Sequence, residues 1–387
     1  MRASLHGETV ELSAGLDLQK IFHLANQHHV LPMVVDVAWR SGVQEVLLRP
    51  VQSMAVSLVM LQTRRTAAFL TLYRSLAEEG LYPLILKGLV CRLLYPEPDQ
   101  RPSVDEDLLI EPEMLPVVHE ALLRYGMHCD CDEPSAKLHE ITYSGTDLSI
   151  ELHMSPFPAD SSAYGDLNAL FSDAPARAVT IEAEGVAIKT FGYADHLLYL
   201  ICHACKHFLH SGVGIRQVCD IAVFSKRFRK EIDWQEVRVR CEQVHIERFS
   251  AAVFAIASRH LGFDMPEVFA DLRIDERAML QDMLSGGVYG AADENRQHSA
   301  TITLDAVAAH KKGRKRTGFM TSVFLPYDSM KAKYTYLQKH AWLLPAAWMQ
   351  RVGHYLLHRG KNANPVQSLR IGNERVELLR EYGIIEK

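Results

Sequence analysis

The sequence predicts an α+β fold in which a small mixed sheet lies between a helical N-terminal region and a helical C-terminal domain. Three observations predict it. Residues 45–79 carry apolar side chains at helical spacing. Short apolar strand patterns then alternate with turns and helix patterns as far as residue 190, and almost every later segment shows the helical period. We therefore predict three units, residues 1–80, 81–190 and 191–387, with the sheet in the middle one.

The predicted core begins after the long helix, where the character of the chain changes. Turns that contain proline or glycine separate short apolar runs, which is typical of strands and short helices. In chain order, the predicted elements are a strand in 82–88, a helix over 89–95, a strand in 103–112, a helix over 114–125, strands over 138–143 and 148–153, and a strand pair within 178–189. Because strands and helices are mixed, we expect a mixed sheet rather than a doubly wound one.

The C-terminal half is predicted to consist almost entirely of helices. Apolar residues recur with the helical period over four segments, 194–209, 215–228, 233–244 and 247–262. Asp195 and Asp233 lie at the starts of two of these segments, and we predict that they cap the helices. Segment 285–300 is rich in glycine and polar residues and therefore predicts a loop.

The composition is that of an ordinary soluble protein. Hydrophobic residues make up 48% of the chain and charged residues 23%, and the formal net charge is −5. This balance gives no overall attraction to nucleic acid or to an anionic membrane. Seven scattered cysteines indicate reduced thiols rather than a disulfide framework. The start of the chain lacks the apolar region of a signal peptide, and no apolar run approaches about 18 residues, so we expect no membrane span and a cytoplasmic location.

Two aspartates in the segment VDEDLLI carry the sharpest chemical signal in the sequence. Side chains alternate between the faces of a strand, so Asp105 and Asp107 point the same way and Glu106 points the opposite way. The Cα atoms of the two aspartates would lie roughly 6.5–7 Å apart. Carboxylates that converge from one strand face can hold one or two hard divalent cations. The alternative is an ordinary half-exposed strand, since acidic residues at a strand start are common.

A third carboxylate is expected from the strand over 148–153. Its apolar residues share one face, whereas Glu151 and His153 share the other face with Ser149 and Asp147. We predict Glu151 as the third metal ligand, and His153 as a residue that holds Glu151 or contacts phosphate. Three carboxylates around two Mg²⁺ ions suit nucleotidyl transfer, in which one ion orients a triphosphate and the other activates an attacking hydroxyl.

A glycine turn precedes the aspartates and predicts a phosphate contact. In LILKGLVCRLL, Lys87 and Gly88 lie between an apolar strand and a predicted helix. Glycine lets phosphate oxygens approach the backbone, the helix start attracts anions, and the lysine adds a positive charge. Arg101, four residues before Asp105, could reach the same triphosphate. The alternatives are an ordinary turn at Gly88 and a solvated loop arginine at position 101.

A further polar cluster is predicted on two helices of the C-terminal half. His203, Lys206 and His207 lie on neighbouring faces of one helix, and Arg216 and Asp220 lie on the next. Lys206, His207 and Arg216 could line the cleft that holds the nucleotide. The alternative is a hydrogen-bond network between the helices, in which Asp220 holds a histidine.

These motifs, in this order, resemble an uncharacterised bacterial nucleotidyltransferase family of the polymerase-β-like superfamily. The resemblance rests on LILKGLVCRLLYPEPDQRPSVDEDLLI, LSIELHMSPF, DHLLYLICHACKHFLHSGVGIRQVCDIAVF, IDWQEV, HLANQHHVLPMV, FLPYDSMKAKYTYL and LPAAWMQRV, and therefore spans most of the chain. It implies a nucleotidyltransferase core with Asp105, Asp107 and Glu151 as the metal triad. The pair Lys87 and Gly88 departs from the Gly-Ser pair of better-studied relatives, in which the serine contacts phosphate.

The resemblance and the carboxylate pattern together lead us to expect a metal-dependent nucleotidyltransferase that uses Mg²⁺ or Mn²⁺ and an NTP, with ATP as the expected donor. A hydroxyl of an unidentified acceptor would receive the NMP, and pyrophosphate would leave. A protein side chain, a small hydroxylated metabolite and an RNA end are the acceptors considered. One alternative is a catalytically silent nucleotide-binding or regulatory protein, which the lysine at position 87 favours. A second is a metal-dependent phosphohydrolase that relies on His203 or His207.

Overall fold

The architecture is a mixed sheet flanked by helices. The structure is a computed structural model, and it describes residues 1–13, 15–290, 294–313, 327–331, 334–357 and 365–386. These described residues form one seven-stranded sheet and seventeen α-helices. The predicted α+β class is therefore confirmed, including the helical regions on both sides of the sheet.

The N-terminal region is helical, as predicted. Its helices are α1 (Arg2–His6), α2 (Leu18–Gln27), α3 (Leu31–Arg40) and α4 (Glu45–Glu78). The second half of α4 buries an apolar face against the sheet, because Phe69, Leu72 and Tyr73 recur at helical spacing. The Tyr73 hydroxyl donates to the Pro83 carbonyl and accepts from the Lys189 amide, so it ties α4 to two neighbouring strands.

The first half of α4 differs from the second because its apolar side chains are exposed. Val46 and Met60 keep 63% and 64% of their surface accessible. Of the described helices, α4 alone is long and apolar enough to cross a membrane by length and composition, and 17% of its most apolar 18-residue window is buried. One such helix is weak evidence for a membrane span, so the expected absence of a span stays a prediction.

The sheet combines parallel and antiparallel neighbours. Its strands are β1 (Leu84–Ile85), β2 (Glu106–Leu109), β3 (His128–Cys129), β4 (Glu140–Ser144), β5 (Ser149–His153), β6 (Val179–Ala183) and β7 (Val186–Thr190). Their spatial order is β3-β4-β5-β2-β1-β7-β6. Strand β2 runs parallel to β5 and antiparallel to β1. Two short helices, α5 (Gly88–Arg92) and α6 (Leu115–Arg124), fill connections between strands. The predicted mixed sheet is confirmed, with β3 as an additional edge strand.

The C-terminal half is built from helices that pack against the sheet and each other. In chain order they are α7 (Tyr193–His210), α8 (Ile215–Arg227), α9 (Trp234–Gln243), α10 (Glu247–Leu261), α11 (Glu267–Ala270), α12 (Arg277–Gly286), α13 (Glu294–Lys311), α14 (Tyr327–Lys331), α15 (Tyr336–Lys339), α16 (Leu344–Leu357) and α17 (Pro365–Glu381). Strand β7 ends at residue 190 and α7 begins at residue 193, close to the predicted boundary. The division into units 1–80, 81–190 and 191–387 stays a prediction.

The two predicted helix caps have different outcomes. Asp233 caps α9, because its carboxylate accepts a hydrogen bond from the Glu236 amide. Asp195 does not cap α7, whose first flanking residue is Gly192. Its carboxylate instead forms ion pairs with Arg177 and Arg240. The prediction for Asp195 was wrong because an aspartate near the start of a helix gives the same sequence signal whether it caps the helix or forms an ion pair.

The prediction of a loop over 285–300 was wrong for residues 294–300, because α13 begins at Glu294. Three of the polar residues that indicated a loop, Asn295, Arg296 and Ser299, are buried. Arg296 pairs with Asp282 and donates to the Ser211 carbonyl, and Asn295 Oδ1 accepts from the Ser368 hydroxyl. Polar residues were read as exposed, whereas here they hydrogen-bond α13 to the rest of the helical half.

Candidate active site

Strands β2 and β5, with the residue just before β2, bring three carboxylates near one another. Strands β2 and β5 are parallel, and their register places Asp107 directly beside Glu151. Asp105 lies just before the first residue of β2, close enough to Asp107 and Glu151 for their charges to act on its carboxyl group. Asp107 and Glu151 therefore converge as predicted and Asp105 lies near them, although the strand itself begins at Glu106 rather than before Asp105. Their role as metal ligands stays a prediction.

The carboxylates of this cluster differ in their affinity for a proton. Burial raises the pKa of Asp105 to about 6, and the nearby charges of Asp107 and Glu151 act in the same direction. A hydrogen bond with His153 lowers the pKa of Glu151. Asp105 is therefore the member of the cluster that can exchange a proton near neutral pH, while its neighbours remain ionised.

Asp107 lies at the centre of the cluster. Its Oδ1 atom is 3.1 Å from the Lys87 ammonium nitrogen and 3.2 Å from His153 Nε2. Burial opposes ionisation, but these two positive neighbours outweigh it and hold the pKa of Asp107 well below its usual range. Its Oδ2 atom is buried and has no hydrogen-bond partner among the described residues. A buried carboxylate oxygen in that situation is suited to a cation.

Glu106 points to the opposite face of the strand, as the alternation predicts. Its carboxylate accepts a hydrogen bond from the Leu89 amide at 2.8 Å and pairs with the fully buried Arg92. A Cβ atom on Gly88 would lie 1.9 Å from Glu106 Oε2, and the φ of Gly88 is +38°. The glycine is therefore needed for the contact between α5 and β2. This requirement is independent of phosphate, so the predicted phosphate contact of Gly88 stays a prediction.

His153 connects the carboxylate cluster with the next strand. Its Nε2 atom faces Asp107 at 3.2 Å and Glu151 at 3.6 Å, and its Nδ1 atom faces Glu140 at 3.5 Å. Burial opposes a charge on the ring, but the hydrogen bonds to Asp107 and Glu151 raise the pKa of His153 to about 9. His153 therefore holds Glu151, which is one of the two roles predicted from sequence.

Helix α7 forms the opposite wall of the cleft. His203 Nε2 lies 3.4 Å from the Lys87 ammonium nitrogen and 3.2 Å from His207 Nε2. Burial and the positive charge of Lys87 hold the pKa of both histidines well below their usual range, and burial also lowers the pKa of Lys206. The predicted residue His207 thus connects to Lys87 through His203, and the predicted residue Lys206 interacts electrostatically with Asp107 and Glu151. Their contact with a nucleotide stays a prediction.

The two predicted phosphate-binding arginines are engaged with protein groups. Arg101 binds Asp220 through Nη2 at 2.6 Å and through Nε at 2.9 Å, and the Tyr95 hydroxyl donates to the same carboxylate. Arg216 donates to the Pro102 carbonyl at 2.6 Å. These contacts join the loop before β2 to α8. The alternative predicted from sequence, in which Asp220 holds a histidine, was wrong, because its carboxylate holds an arginine.

A small cavity lies between the two walls. Its volume is about 20 Å³, which is room for about one water molecule. It is lined by Lys87, Arg101, Ser103, Asp105, Leu200, His203, Arg216, Gln217 and Asp220. Larger cavities, including one of about 1010 Å³, lie elsewhere and away from the carboxylates. Ionisable groups with perturbed pKa values converge beside the small cavity, which is typical of a functional site.

The donor atoms around Asp107 fit a hard divalent cation. Ligand-type atoms of Asp107, Glu151 and His153 lie within 4.8 Å of one another, and the two carboxylates supply the oxygen ligands among them, since His153 Nε2 donates to Asp107. Asp105 adds a third carboxylate through its contact with Glu151. Oxygen-rich sets of this kind match Mg²⁺ and Mn²⁺. The unpartnered Oδ2 of Asp107 is the atom most directly available to such an ion.

Several residues of the site were missed at the level of sequence. His139 and Glu140 lie beside His153, and Tyr95 supports the Arg101–Asp220 pair. A hairpin with a two-residue turn at residues 146 and 147 places Glu140 opposite His153, which is their observed register. The predicted strand bounds pair residue 143 with residue 148, and so would have shifted this register by two residues. No comparable local signal existed for Tyr95, because its contact with Asp220 spans 125 positions of the chain.

Comparison with known proteins identifies the family. A family model described as an uncharacterised nucleotidyltransferase matches residues 14–262, which is well over half of the chain. No curated protein and no solved structure matches. The matched segment contains every side chain of the cleft described above, and it confirms the family that the motifs resemble. The chain belongs to the uncharacterised nucleotidyltransferase family and is a transferase of nucleotidyl groups.

Proposed function

We propose that the protein transfers AMP from ATP to a hydroxyl group of an acceptor, in the presence of Mg²⁺ or Mn²⁺, and releases pyrophosphate. Family membership supports nucleotidyl transfer in general. The observation that carries the proposal is the register of β2 and β5, which sets Asp107 beside Glu151 with Asp105 in contact. A protein side chain, a small hydroxylated metabolite and an RNA end each offer a suitable hydroxyl.

The carboxylate cluster would hold the divalent ion. Asp107, through its unpartnered Oδ2 atom, and Glu151 are the ligands best supported by their positions, and Asp105 completes the set. When bound, the ion supplies positive charge that orients the triphosphate and stabilises the leaving pyrophosphate.

The proposed reaction is an in-line displacement at the α-phosphorus. The acceptor oxygen forms a bond to this phosphorus, the bond between the phosphorus and the bridging oxygen to the β-phosphate breaks, and the acceptor proton passes to a carboxylate. Pyrophosphate leaves with the electrons of the broken bond. Lys87 lies 3.1 Å from Asp107, Arg101 lines the cavity beside Asp105, and Lys206 interacts electrostatically with Asp107 and Glu151. They would neutralise charge on the phosphates.

The cleft must widen before ATP can bind. Ligand sites usually enclose several hundred Å³, whereas the cavity beside Asp105 measures about 20 Å³. The contacts of Arg101 with Asp220 and of Arg216 with Pro102 close the cleft from one side. We propose that triphosphate competes with Asp220 for Arg101, so that nucleotide binding and opening of the cleft occur together.

A transfer assay tests the proposal. ATP labelled at the α-phosphate is incubated with Mg²⁺, the full chain and a cell extract, and both released pyrophosphate and labelled acceptor are measured. We expect Asp105→Asn/Asp107→Asn to abolish labelling and pyrophosphate release. Asp147→Asn is the matched control, because this half-buried carboxylate near the start of β5 contacts Arg64 instead of the cluster. Equal labelling by the wild type and the double variant would refute the proposed site.

A catalytically silent nucleotide-binding protein is the second candidate. It is favoured by one observation, the distance of 3.1 Å between the Lys87 ammonium and Asp107, which puts a fixed positive charge beside the carboxylates. This candidate predicts ATP binding, measured by calorimetry, without pyrophosphate release in any extract. Release that depends on Asp105 and Asp107 would exclude it.

A further inference from the structure

A second set of donor atoms lies on the far side of His153 from the carboxylate cluster. It consists of His139 Nε2, Glu140 Oε2 and His153 Nδ1, which lie within 4.8 Å of one another. Each of the two nitrogens is 3.5 Å from Glu140 Oε2. Both nitrogens are buried, and neither has a hydrogen-bond partner among the described residues. Two unpartnered ring nitrogens thus face one carboxylate.

We propose that His139, Glu140 and His153 bind one divalent transition-metal ion, for which Zn²⁺ is the best match. This site is separate from the carboxylate cluster and from the Mg²⁺ or Mn²⁺ ion expected there. The proposal goes beyond nucleotidyl transfer and does not depend on it.

The hydrogen bonds of His139 orient its free nitrogen toward the site. The Ser155 hydroxyl donates to the Phe157 carbonyl at 2.9 Å, so its oxygen accepts from His139 Nδ1 at 3.1 Å. The ring proton of His139 is therefore on Nδ1, and Nε2 carries a lone pair. That lone pair faces the carboxylate of Glu140, which is also an acceptor. A cation between the two groups would satisfy both.

His153 is oriented in the same manner by a different partner. Its Nε2 atom donates to Asp107 at 3.2 Å, which leaves Nδ1 directed at Glu140. Without a metal ion the ring is charged and Nδ1 also carries a proton, so an ion at this site would take the place of that proton. Histidines that bind metals usually donate their other ring N–H to a carboxylate or another oxygen acceptor, which fixes the ring. Asp107 provides that acceptor for His153, and Ser155 provides it for His139. Both rings are thus held in the orientation that metal binding requires.

The donor types and their spacing distinguish this site from a magnesium site. Two imidazole nitrogens and one carboxylate oxygen form a set that zinc and its neighbours prefer, whereas Mg²⁺ prefers oxygen alone. Bonds of about 2.0–2.1 Å in a tetrahedron separate the ligand atoms by roughly 3.4 Å, close to the observed 3.5 Å between Glu140 Oε2 and each ring nitrogen. The side chain of Glu140 is 42% exposed, so water can reach the fourth position.

An ion at this site would join the ends of two strands. Glu140 begins β4 and His153 ends β5, and the two residues are register partners. His139 directly precedes β4. The ion would hold His153 with its Nε2–H directed at Asp107, and so would keep Asp107 in its place within the carboxylate cluster. In this role His153 is a positioning residue.

Metal titration tests the proposal without measuring enzyme activity. The full chain is stripped with a chelator and titrated with Co²⁺, whose visible absorption reports nitrogen ligation and coordination geometry. Zn²⁺ affinity is then measured by competition with a chromophoric chelator. The variants are His139→Gln and Glu140→Gln. The matched controls are His128→Gln, an exposed histidine on the neighbouring strand β3, and Asp105→Asn, which alters the carboxylate cluster.

We expect the wild type to bind one equivalent of Zn²⁺, and His139→Gln and Glu140→Gln to weaken binding at least about 100-fold, as loss of a ligand requires. The two controls should bind within about twofold of the wild type. A wild type that binds no Zn²⁺, or a His139→Gln variant that binds it equally well, would overturn the proposal. Binding that is lost in Asp105→Asn but kept in His139→Gln would assign the ion to the carboxylate cluster and overturn the proposal as well.

Discussion

On the sheet wall of the cleft, His153 lies between Asp107 and Glu151, whereas on the helical wall His203 and His207 lie beside Lys87 and Lys206. All three histidines are largely removed from water. Hydrogen bonds to carboxylates raise the pKa of His153 to about 9 despite burial. Burial and neighbouring cations lower the pKa of His203 and His207. The same residue type is therefore charged on one wall and neutral on the other.

This difference shows that the charges of neighbouring side chains, and not burial alone, set the charge of each histidine and therefore the kind of ligand that each wall can bind. The sheet wall concentrates carboxylates and can hold a metal cation, with His153 compensating part of their charge. The helical wall keeps its histidines neutral, so its charge comes from lysine. Lys87 lies between the walls, 3.1 Å from Asp107 Oδ1 and 3.4 Å from His203 Nε2. These opposite charges complement those of the metal-bound triphosphate that we propose binds here once the cleft has widened.

The largest effect is expected from breaking the contact that joins the loop before β2 to α8. Asp220→Asn removes the charge that compensates Arg101, whose side chain is only 4% exposed. An unpaired charge in a buried position costs about 3–5 kcal/mol, so we expect the free energy of unfolding in urea to fall by about 3 kcal/mol. Asp264→Asn is the matched control, since the Arg229–Asp264 pair has the same distance of 2.6 Å but is exposed. Exposed pairs contribute little, so equal losses in both variants would contradict the comparison.

Lys87 is the next residue to test, because it belongs to both walls. If it binds phosphate, Lys87→Met should lower kcat/KM about 100-fold, which corresponds to about 2.7 kcal/mol. Lys189→Met is the control, because Lys189 is a half-buried lysine on β7 that lies over the Tyr82 ring. Steady-state release of pyrophosphate is the measurement. A rise in activity in Lys87→Met would mean that the lysine competes with the metal ion instead of binding the phosphates.

The fold was predictable from sequence wherever the periodicity was long or the strand alternation was clear. The 34-residue helix α4 ends within one residue of its predicted bound, because its apolar period is uninterrupted. Strand β3 has only two residues and no pattern of its own, so it was missed. The start of α13 was missed because Asn295 and Arg296 are buried polar residues whose partners lie far along the chain.

Part of the site could likewise be predicted from local sequence patterns, whereas the rest depends on contacts between residues that are distant in the chain. Alternation placed Asp105 and Asp107 on one face, and Glu106 opposite, without any knowledge of the sheet order. Which strand lies next to β2 is a matter of topology, so the pairing of Asp107 with Glu151 was an expectation until the register was known. The partner of Arg101 is 119 positions away. No spacing rule in the sequence connects the two.

A smaller effect is expected from the neutral histidines of the helical half, and His196 of α7 tests it away from the carboxylates. Burial lowers the pKa of His196 from 6.5 to about 3, and the ring stacks on Phe224 at 4.7 Å. Between these pH values the unfolded chain binds a proton that the folded chain does not. Stability is therefore lost as pH falls from about 6.5 toward 3, and this residue has no such effect above that range. One such proton changes the free energy of unfolding by about 1.4 kcal/mol per pH unit.

The measurement is the free energy of unfolding in urea at a series of pH values. His196→Phe keeps a ring against Phe224 and removes the titrating group. We expect the free energy of unfolding to fall less steeply in the variant between pH 6 and pH 5, by about 1.4 kcal/mol per pH unit, which is the contribution of one proton. This difference should be seen whatever the stability of the variant at neutral pH. Identical slopes would show that His196 is not held neutral by the fold, and would weaken the contrast between the two walls.

The smallest effect is expected from Lys206, which supplies charge on the helical wall. Burial lowers the pKa of Lys206, and its nearest charged neighbours include Glu140 and Lys87. If this ammonium contacts the triphosphate equally in the ground state and the transition state, Lys206→Met should raise KM for ATP roughly fivefold and leave kcat unchanged. Lys230→Met, at an exposed lysine after α8, should change neither constant. A fall in kcat without a change in KM would instead mean that Lys206 acts on the reacting phosphate, and the helical wall would then take part in the chemical step.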